Sequence, residues 1–252
     1  MYDDNQLTPL DIDADLESPL DQLGPPSQET EPPQYDPEVM LPLLESPETQ
    51  QRMLAARAFC ELQDARAIPH LLHLLGDPCP LVRVSAAYAL GRNPSESALE
   101  PLIAQLNQDW NGYVRKGLVW AIGNSHDRRS LKPLANALRT DIPAVRLWAA
   151  SALAQAAHID YEGVIEAIPP LIEVMQQDAV PAVRGNCAWS IGQLCRELPS
   201  NVIYMTAIDA LIETFAREAD LGVREDARAA LLKVGDPRGL QTIEEIEQDG
   251  FF

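Results

Sequence analysis

The chain has 252 residues, which is enough for one sizeable core or for a stack of repeats. Its net charge of −19 argues against a nucleic-acid or anionic-membrane partner, because attraction to phosphate requires a basic surface. No apolar run reaches the roughly 20 residues of a membrane span, and the first residues lack a secretory signal. We therefore expect a cytoplasmic protein with no membrane span and reduced cysteines.

The charge is concentrated in residues 1–36, which hold ten acidic residues, six prolines and no Lys or Arg. This composition predicts a disordered, acidic, proline-rich tail, followed by a folded domain over residues 37–252. Within the tail, the stretch LTPLDIDADLESPLDQL alternates Leu and Ile with acids. Either a motif that folds on a partner or a solvated segment accounts for this alternation.

An internal repeat follows the tail. The dipeptide Val-Arg recurs at similar intervals, with an Asp a few positions before it and an Ala-rich run, usually ending in apolar-Gly, after it. A weaker first copy contains Arg52, which precedes Arg83 by one repeat length. The five clear copies begin at Val82, Val114, Val145, Val183 and Val223.

Each unit predicts a hairpin of two helices, here named A and B. A proline such as Pro101 or Pro170 opens an apolar run and is expected in the first turn of helix A. The Asp turn is expected to end helix A and cap helix B, and the Gly either ends helix B or allows a close backbone approach. The longer spacing around AAHIDYEGVIEAI indicates an extended loop or an extra helical turn. Such units must stack, because one hairpin cannot bury its apolar face alone.

The consensus, an Asp followed by VR-x2-AA-x-ALG and then PLI, resembles the HEAT-like repeats of the phycobilisome-lyase type. DPCPLVRVSAAYALG and ALEPLIAQL match it best, and the resemblance covers about residues 38–240. It implies an all-α fold, a right-handed α-solenoid of about six HEAT-like hairpins. The whole chain also resembles cyanobacterial HEAT proteins that associate with A-type iron–sulfur carriers.

Helix B can be divided into faces from its repeated Val, at about 100° per residue. Positions Val+4, Val+7 and Val+8 share the core face, whereas Val+6 lies about 150° away. Since helix B lines the concave side of such a stack, Val+6 and Val+10 predict an aromatic and polar groove. Alternatively, the rings pack on one another and only stiffen the stack. In the third repeat Val+6 is Ser151, and Trp148 at Val+3, about 60° away, takes the place of the aromatic residue. The predicted groove residues are Tyr88, Arg92, Trp120, Asn124, Trp148, Gln155, Trp189 and Gln193.

The arginine at Val+1 is the most regular charge in the chain, and its regularity indicates a structural role. We expect each one to pair with the Asp of a neighbouring repeat turn, such as Asp77, Asp109 or Asp141.

The sequence contains no nucleotide-binding loop, hydrolase motif or zinc-protease motif, and we predict no catalytic residue. Its four cysteines lack CxxC spacing, so no metal site is predicted. If an iron–sulfur cluster is shared with a partner, Cys79 and Cys195 are the weak candidate ligands.

Three functions remain open. The favoured one is a non-catalytic scaffold that needs no cofactor and binds a partner protein in its groove, with an A-type iron–sulfur carrier as the candidate that the resemblance supplies. The second is a bilin lyase subunit or a bilin-binding chaperone of phycobiliprotein assembly, for which the groove would hold a bilin. The third is an assembly or degradation adaptor of the antenna complex. The sequence does not fix the oligomeric state.

Overall fold

The computed structural model describes residues 35–248, whose regular secondary structure is entirely helical. Thirteen α-helices of this part form six A–B hairpins and one final helix, which confirms the predicted all-α solenoid of about six hairpins. The predicted disordered tail, residues 1–36, lies outside the described residues except for its last two positions. The hairpins are α1 (Pro37–Leu43) with α2 (Thr49–Ala58), α3 (Ile68–Leu74) with α4 (Pro80–Arg92), α5 (Glu96–Gln108) with α6 (Gly112–Gly123), α7 (Leu131–Thr140) with α8 (Pro143–Ala154), α9 (Tyr161–Gln177) with α10 (Pro181–Cys195), and α11 (Val202–Arg217) with α12 (Leu221–Val234), followed by α13 (Pro237–Gln248).

The core lies between the two helices of each hairpin and between neighbouring hairpins. In α4 the predicted core positions Val82, Ala86 and Leu90 are buried, and the equivalent positions of α6 are buried as well. The predicted core positions are therefore buried, but most other positions of α4 are buried as well, because neighbouring B helices cover its flanks. None of the described helices combines the length and the apolar character that a membrane crossing requires.

The B helices form the inner layer of the stack. Each of α4, α6, α8 and α10 packs extensively against the next B helix, whereas contacts between successive A helices are sparser. A stack whose B layer is more closely spaced than its A layer curves around the B side. The concave surface is therefore built from the B helices, as the sequence predicts.

The glycines of the consensus allow close approach between B helices. A Cβ on Gly123 or on Gly192 would lie 2.8 Å from the Cβ of an alanine in the next B helix. Gly192 lies inside α10, so the alternative that the glycine ends helix B is wrong for that repeat, whereas Gly123 is the last residue of α6 and also allows the close approach. Among the glycines of residues 35–248, Gly235 alone, with φ of 75°, has the left-handed conformation that favours glycine, and it ends α12.

The predicted place of the prolines is wrong for two A helices. Pro101 lies inside α5 and Pro170 lies inside α9, because these helices begin well before the apolar run. In α9 the side chain of Asp160 accepts a hydrogen bond from the Gly163 N–H at 2.6 Å and so starts the helix more than two turns before its second proline. The insertion AAHIDYEGVIEAI is therefore mostly an extra length of helix.

Four of the five Val+1 arginines form a ladder of ion pairs that joins each repeat to the next, as the sequence predicts, and Arg52 of the weaker first copy extends it. The fifth, Arg224, departs from the prediction in the described part of the chain and donates to the Phe215 carbonyl at 3.0 Å. Arg83 binds both carboxylate oxygens of Asp109, at 2.7 Å and 3.0 Å, and donates to the carbonyl of Asp77 at 2.9 Å. The arginine ladder consists of Arg52–Asp77, Arg83–Asp109, Arg115–Asp141, Arg146–Asp178 and Arg184–Glu218, at shortest distances between 2.6 and 2.8 Å.

The last pair differs from the predicted pattern. Arg184 pairs with Glu218 rather than with Asp220, because Glu218 follows α11 at the place where other repeats have their Asp. Asp220 instead caps α12 by accepting the Val223 N–H at 3.1 Å. The Arg184 guanidinium lowers the pKa of Glu218 below the ordinary carboxyl value.

Candidate binding groove

Tyr88 and Trp120 meet on the concave surface. Their ring centroids lie 5.2 Å apart with planes tilted by 51°, so the two aromatic rings pack against each other across a repeat boundary. A Cβ on Gly91 would lie 2.5 Å from Cζ3 of Trp120, which shows how closely the indole lies on that glycine. The Arg92 guanidinium lies 5.6 Å from the centroid of the Trp120 ring. The ring packing that is the alternative to a binding role is therefore present at this pair. Both side chains are nevertheless only half-buried, so part of each ring remains accessible.

A basic side chain also lies over the ring of Trp148. The Lys116 ammonium lies 4.4 Å from the ring centroid of Trp148, within the range of a cation–π interaction. The indole Nε1 of Trp148 is buried and has no hydrogen-bond partner. Beside it, Asn186 donates to Ser151 Oγ at 2.8 Å and so holds the polar side chain that replaces an aromatic residue in this repeat.

Trp189 is the most accessible of the predicted rings, with 46% of its surface exposed. The Lys233 ammonium lies 6.0 Å from its centroid. Near this end of the groove the carboxyl group of Asp226 faces Gly185. Burial, and next the negative charges of Glu225 and Asp220, raise the pKa of Asp226 above the ordinary value.

The predicted amides lie beside the rings. Asn124 is half-buried, and its Nδ2 lies 3.5 Å from the Gly91 carbonyl, at the limit of a hydrogen bond. Gln155, directly after α8, and Gln193, in α10, are half-buried at the equivalent positions of their repeats. All eight predicted residues thus belong to the B layer, but among the described residues only Tyr88 and Trp120 form a ring–ring contact within this set.

Two overlapping stretches of the chain, residues 37–117 and 99–192, match the family model of HEAT repeats. The chain belongs to the HEAT-repeat family. No curated protein matches it.

Solved structures share the HEAT-type solenoid. A designed armadillo repeat protein in complex with the peptide (KR)4 is 23% identical, with a TM-score of 0.59 over 79% of this chain and 100% of that one. The complex of CpcE and CpcF of phycocyanin lyase from Nostoc sp. PCC7120 gives 21% identity and a TM-score of 0.57 over 87% of this chain and 85% of that one. Identities this low show the fold alone.

The eight groove residues predicted from the sequence include none from the first repeat, where Arg57 and Leu54 occupy groove positions. Arg57 precedes Tyr88 by the same offset that separates Arg52 from Arg83, so it occupies the Val+6 position. Leu54, at Val+3, is 45% exposed. Burial raises the pKa of Cys60 to about 11, and the positive charges of Arg92 and Arg57 oppose this rise. The two guanidinium groups therefore act on the same region of the concave surface.

The cysteines do not form a site in the described part of the chain. Cys195, a weak candidate for cluster ligation, is 1% exposed, and burial raises its pKa to about 12, which opposes the thiolate that metal ligation needs. Cys79 is half-buried in the turn before α4. Among residues 35–248, no three His, Cys, Asp or Glu side chains are grouped to hold a metal ion.

Proposed function

We propose that this HEAT protein is a non-catalytic scaffold that binds a segment of a partner protein in its concave groove. The observation that carries the proposal is the row of Tyr88, Trp120, Trp148 and Trp189 on the inner layer, in which each Trp ring has a basic side chain beside it. Large rings with nearby charged donors supply contact area and orientation at low conformational cost.

Trp189 gives the scale of the effect. With nearly half of its surface exposed, covering it removes on the order of 100 Å² from water, which corresponds to about 2–3 kcal/mol. A contribution of this size is typical of the few residues that dominate an interface.

The partner that we propose is an A-type iron–sulfur carrier. The support for this finer identity is the sequence resemblance, and the groove supplies the surface on which such a carrier would bind. A cluster carried by the partner would remain on the partner's own ligands, because the most buried thiols of this chain are held in the core with raised pKa values.

The test is calorimetric titration of the full chain with a purified A-type carrier. Trp120→Ala and Trp189→Ala should each weaken binding at least tenfold while the helical circular dichroism is kept. Trp110→Ala is the matched control, since Trp110 is 76% exposed and lies in the A–B turn outside the groove. Absence of binding would refute the carrier, and equal effects of all three variants would refute the groove.

Bilin binding is the second candidate. The adjacent rings of Tyr88 and Trp120, with the Arg92 guanidinium beside Trp120, would suit a flat conjugated ligand with carboxylates. The phycocyanin lyase complex among the similar structures is consistent with this candidate. A visible absorption spectrum recorded with free bilin should then shift and gain induced circular dichroism, and an unchanged spectrum would reject it.

A further inference from the structure

We infer that the N-terminal half of the groove selects peptide segments in which acidic residues alternate with apolar ones. This inference deepens the proposed groove function and depends on it. The surface concerned, named here the basic aromatic subsite, consists of Leu54, Arg57, Tyr88, Arg92 and Trp120.

The basic side chains of this subsite contrast in sign with the overall charge of the chain. From residue 37 onward the chain carries 28 acidic and 19 basic residues, a net charge of −9. Arg57 and Arg92 nevertheless lie on two successive B helices. A basic surface of this kind on an acidic solenoid attracts carboxylates by local rather than by overall charge.

The ladder arginines and the arginines of the subsite differ in their partners. The ladder arginines are saturated by carboxylates and backbone carbonyls, as Arg83 shows with both oxygens of Asp109. In the described part of the chain, neither Arg57 nor Arg92 forms an ion pair. The ladder arginines therefore have a structural role, whereas the guanidinium groups of Arg57 and Arg92 are available to a ligand.

The guanidinium of Arg92 lies over the Trp120 ring, which favours a carboxylate as its ligand. A guanidinium that lies on an aromatic face keeps the N–H donors at its rim, and these match the two oxygens of a carboxylate. A basic residue of a ligand would meet like charge at the same place. The (KR)4 peptide bound by the similar designed protein thus has the opposite chemistry to the segment expected here.

The subsite also has apolar surface next to Arg57 and Arg92. Leu54 is 45% exposed, and Tyr88 and Trp120 are half-buried and accessible from the concave side. Apolar residues placed between the acids of a ligand would cover this surface. At the other end of the groove the carboxyl group of Asp226 faces Gly185, so an acidic side chain accompanies Lys233 there. An acidic segment should therefore occupy the first repeats rather than the last.

The experiment measures fluorescence anisotropy of two labelled peptides, (Asp-Leu)4 and its charge-reversed counterpart (Lys-Leu)4, against the full chain. At low salt the acidic peptide should bind at least tenfold more tightly, and raising NaCl should weaken it because exposed charges are screened. Arg57→Gln and Arg92→Gln should each weaken it about fivefold. Arg217→Gln, on the outer helix α11 and 79% exposed, is the control and should change nothing.

The outcomes separate this inference from the proposed function. Equal or tighter binding of (Lys-Leu)4, or no binding of either peptide, overturns the acidic selectivity, and so does equal loss with Arg217→Gln. In each case the proposed function stands if the purified carrier still binds in a manner that depends on Trp120 and Trp189. If the carrier and the acidic peptide both bind independently of these two rings, the groove itself is refuted. Helical circular dichroism of every variant shows that the fold is intact.

Discussion

Removal of one arginine from the ladder should be far more costly than removal of an exposed one. Arg83 is the best place for this perturbation, because its side chain is 7% exposed and that of its partner Asp109 is 1% exposed. Arg83→Met keeps the aliphatic stem and removes the guanidinium. The variant leaves the Asp109 carboxylate buried with only the Gln105 side chain and the Asn111 N–H as donors.

The expected cost follows from what is lost. Arg83 makes two charge-assisted hydrogen bonds to Asp109 and one to the Asp77 carbonyl, and loss of one partner of a buried pair costs about 3–5 kcal/mol. The pair Arg217–Glu213 is a contrast, since its side chains are 79% and 56% exposed and such pairs contribute about 0.3–0.5 kcal/mol. Arg83→Met should therefore destabilise the protein several times more than Arg217→Met.

Urea unfolding followed by circular dichroism and by tryptophan fluorescence measures both free energies of unfolding, provided that the two transitions coincide. In a double-mutant cycle with Asp109→Asn, the double variant should lose clearly less than the sum of the two single variants. A loss below about 1 kcal/mol for Arg83→Met, or full additivity, would show that the ladder does not hold the repeats together.

Three further predictions concern pH, packing and thiol chemistry. Burial opposes the charge of Asp178, yet hydrogen bonds from Arg146 to Asp178 and from Arg184 to Glu218 hold the pKa of both carboxyls below the unfolded value. The urea midpoint should therefore fall as pH drops from about 5 toward 3, and an unchanged midpoint would contradict this. Gly192→Ala should cost about 1–3 kcal/mol in the same assay, because its Cβ would lie 2.8 Å from the facing alanine of α12. In native protein a thiol reagent should modify Cys79 before the fully buried Cys187, and simultaneous modification would indicate a more open core.

The repeat and its register could be predicted because they depend on local spacing. The recurrence of Val-Arg fixes the core face of helix B, and Val82 and Val114 are buried where the angle places them. The same recurrence predicts that Arg83 reaches the turn of a neighbouring repeat. The same Arg–Asp pair recurs in successive repeats, so the partner found in one repeat predicts the partner in the next.

Other features could not be predicted because they depend on contacts between repeats that differ in sequence. Nothing near Lys116 in the chain shows that its ammonium lies over Trp148, which belongs to the following repeat. Nor does the consensus show that Glu218, with a longer side chain, substitutes for Asp at the last pair. Arg57 could have been found from its offset to Tyr88, but the first repeat lacks the Val-Arg signal that defines the register.

Stability and recognition use different positions of the same repeat. The ladder arginine at Val+1 is neutralised by the following repeat, so its charge holds the stack together and contributes little to the surface. The positions Val+6 and Val+10 carry no part of the ladder and differ from repeat to repeat, as Tyr88, Trp189 and Ala229 illustrate. Because the two sets lie on different faces of helix B, groove residues can change without disturbing the ladder. Substitutions at Trp189 should therefore affect binding much more than unfolding, whereas substitutions at Arg83 should do the reverse.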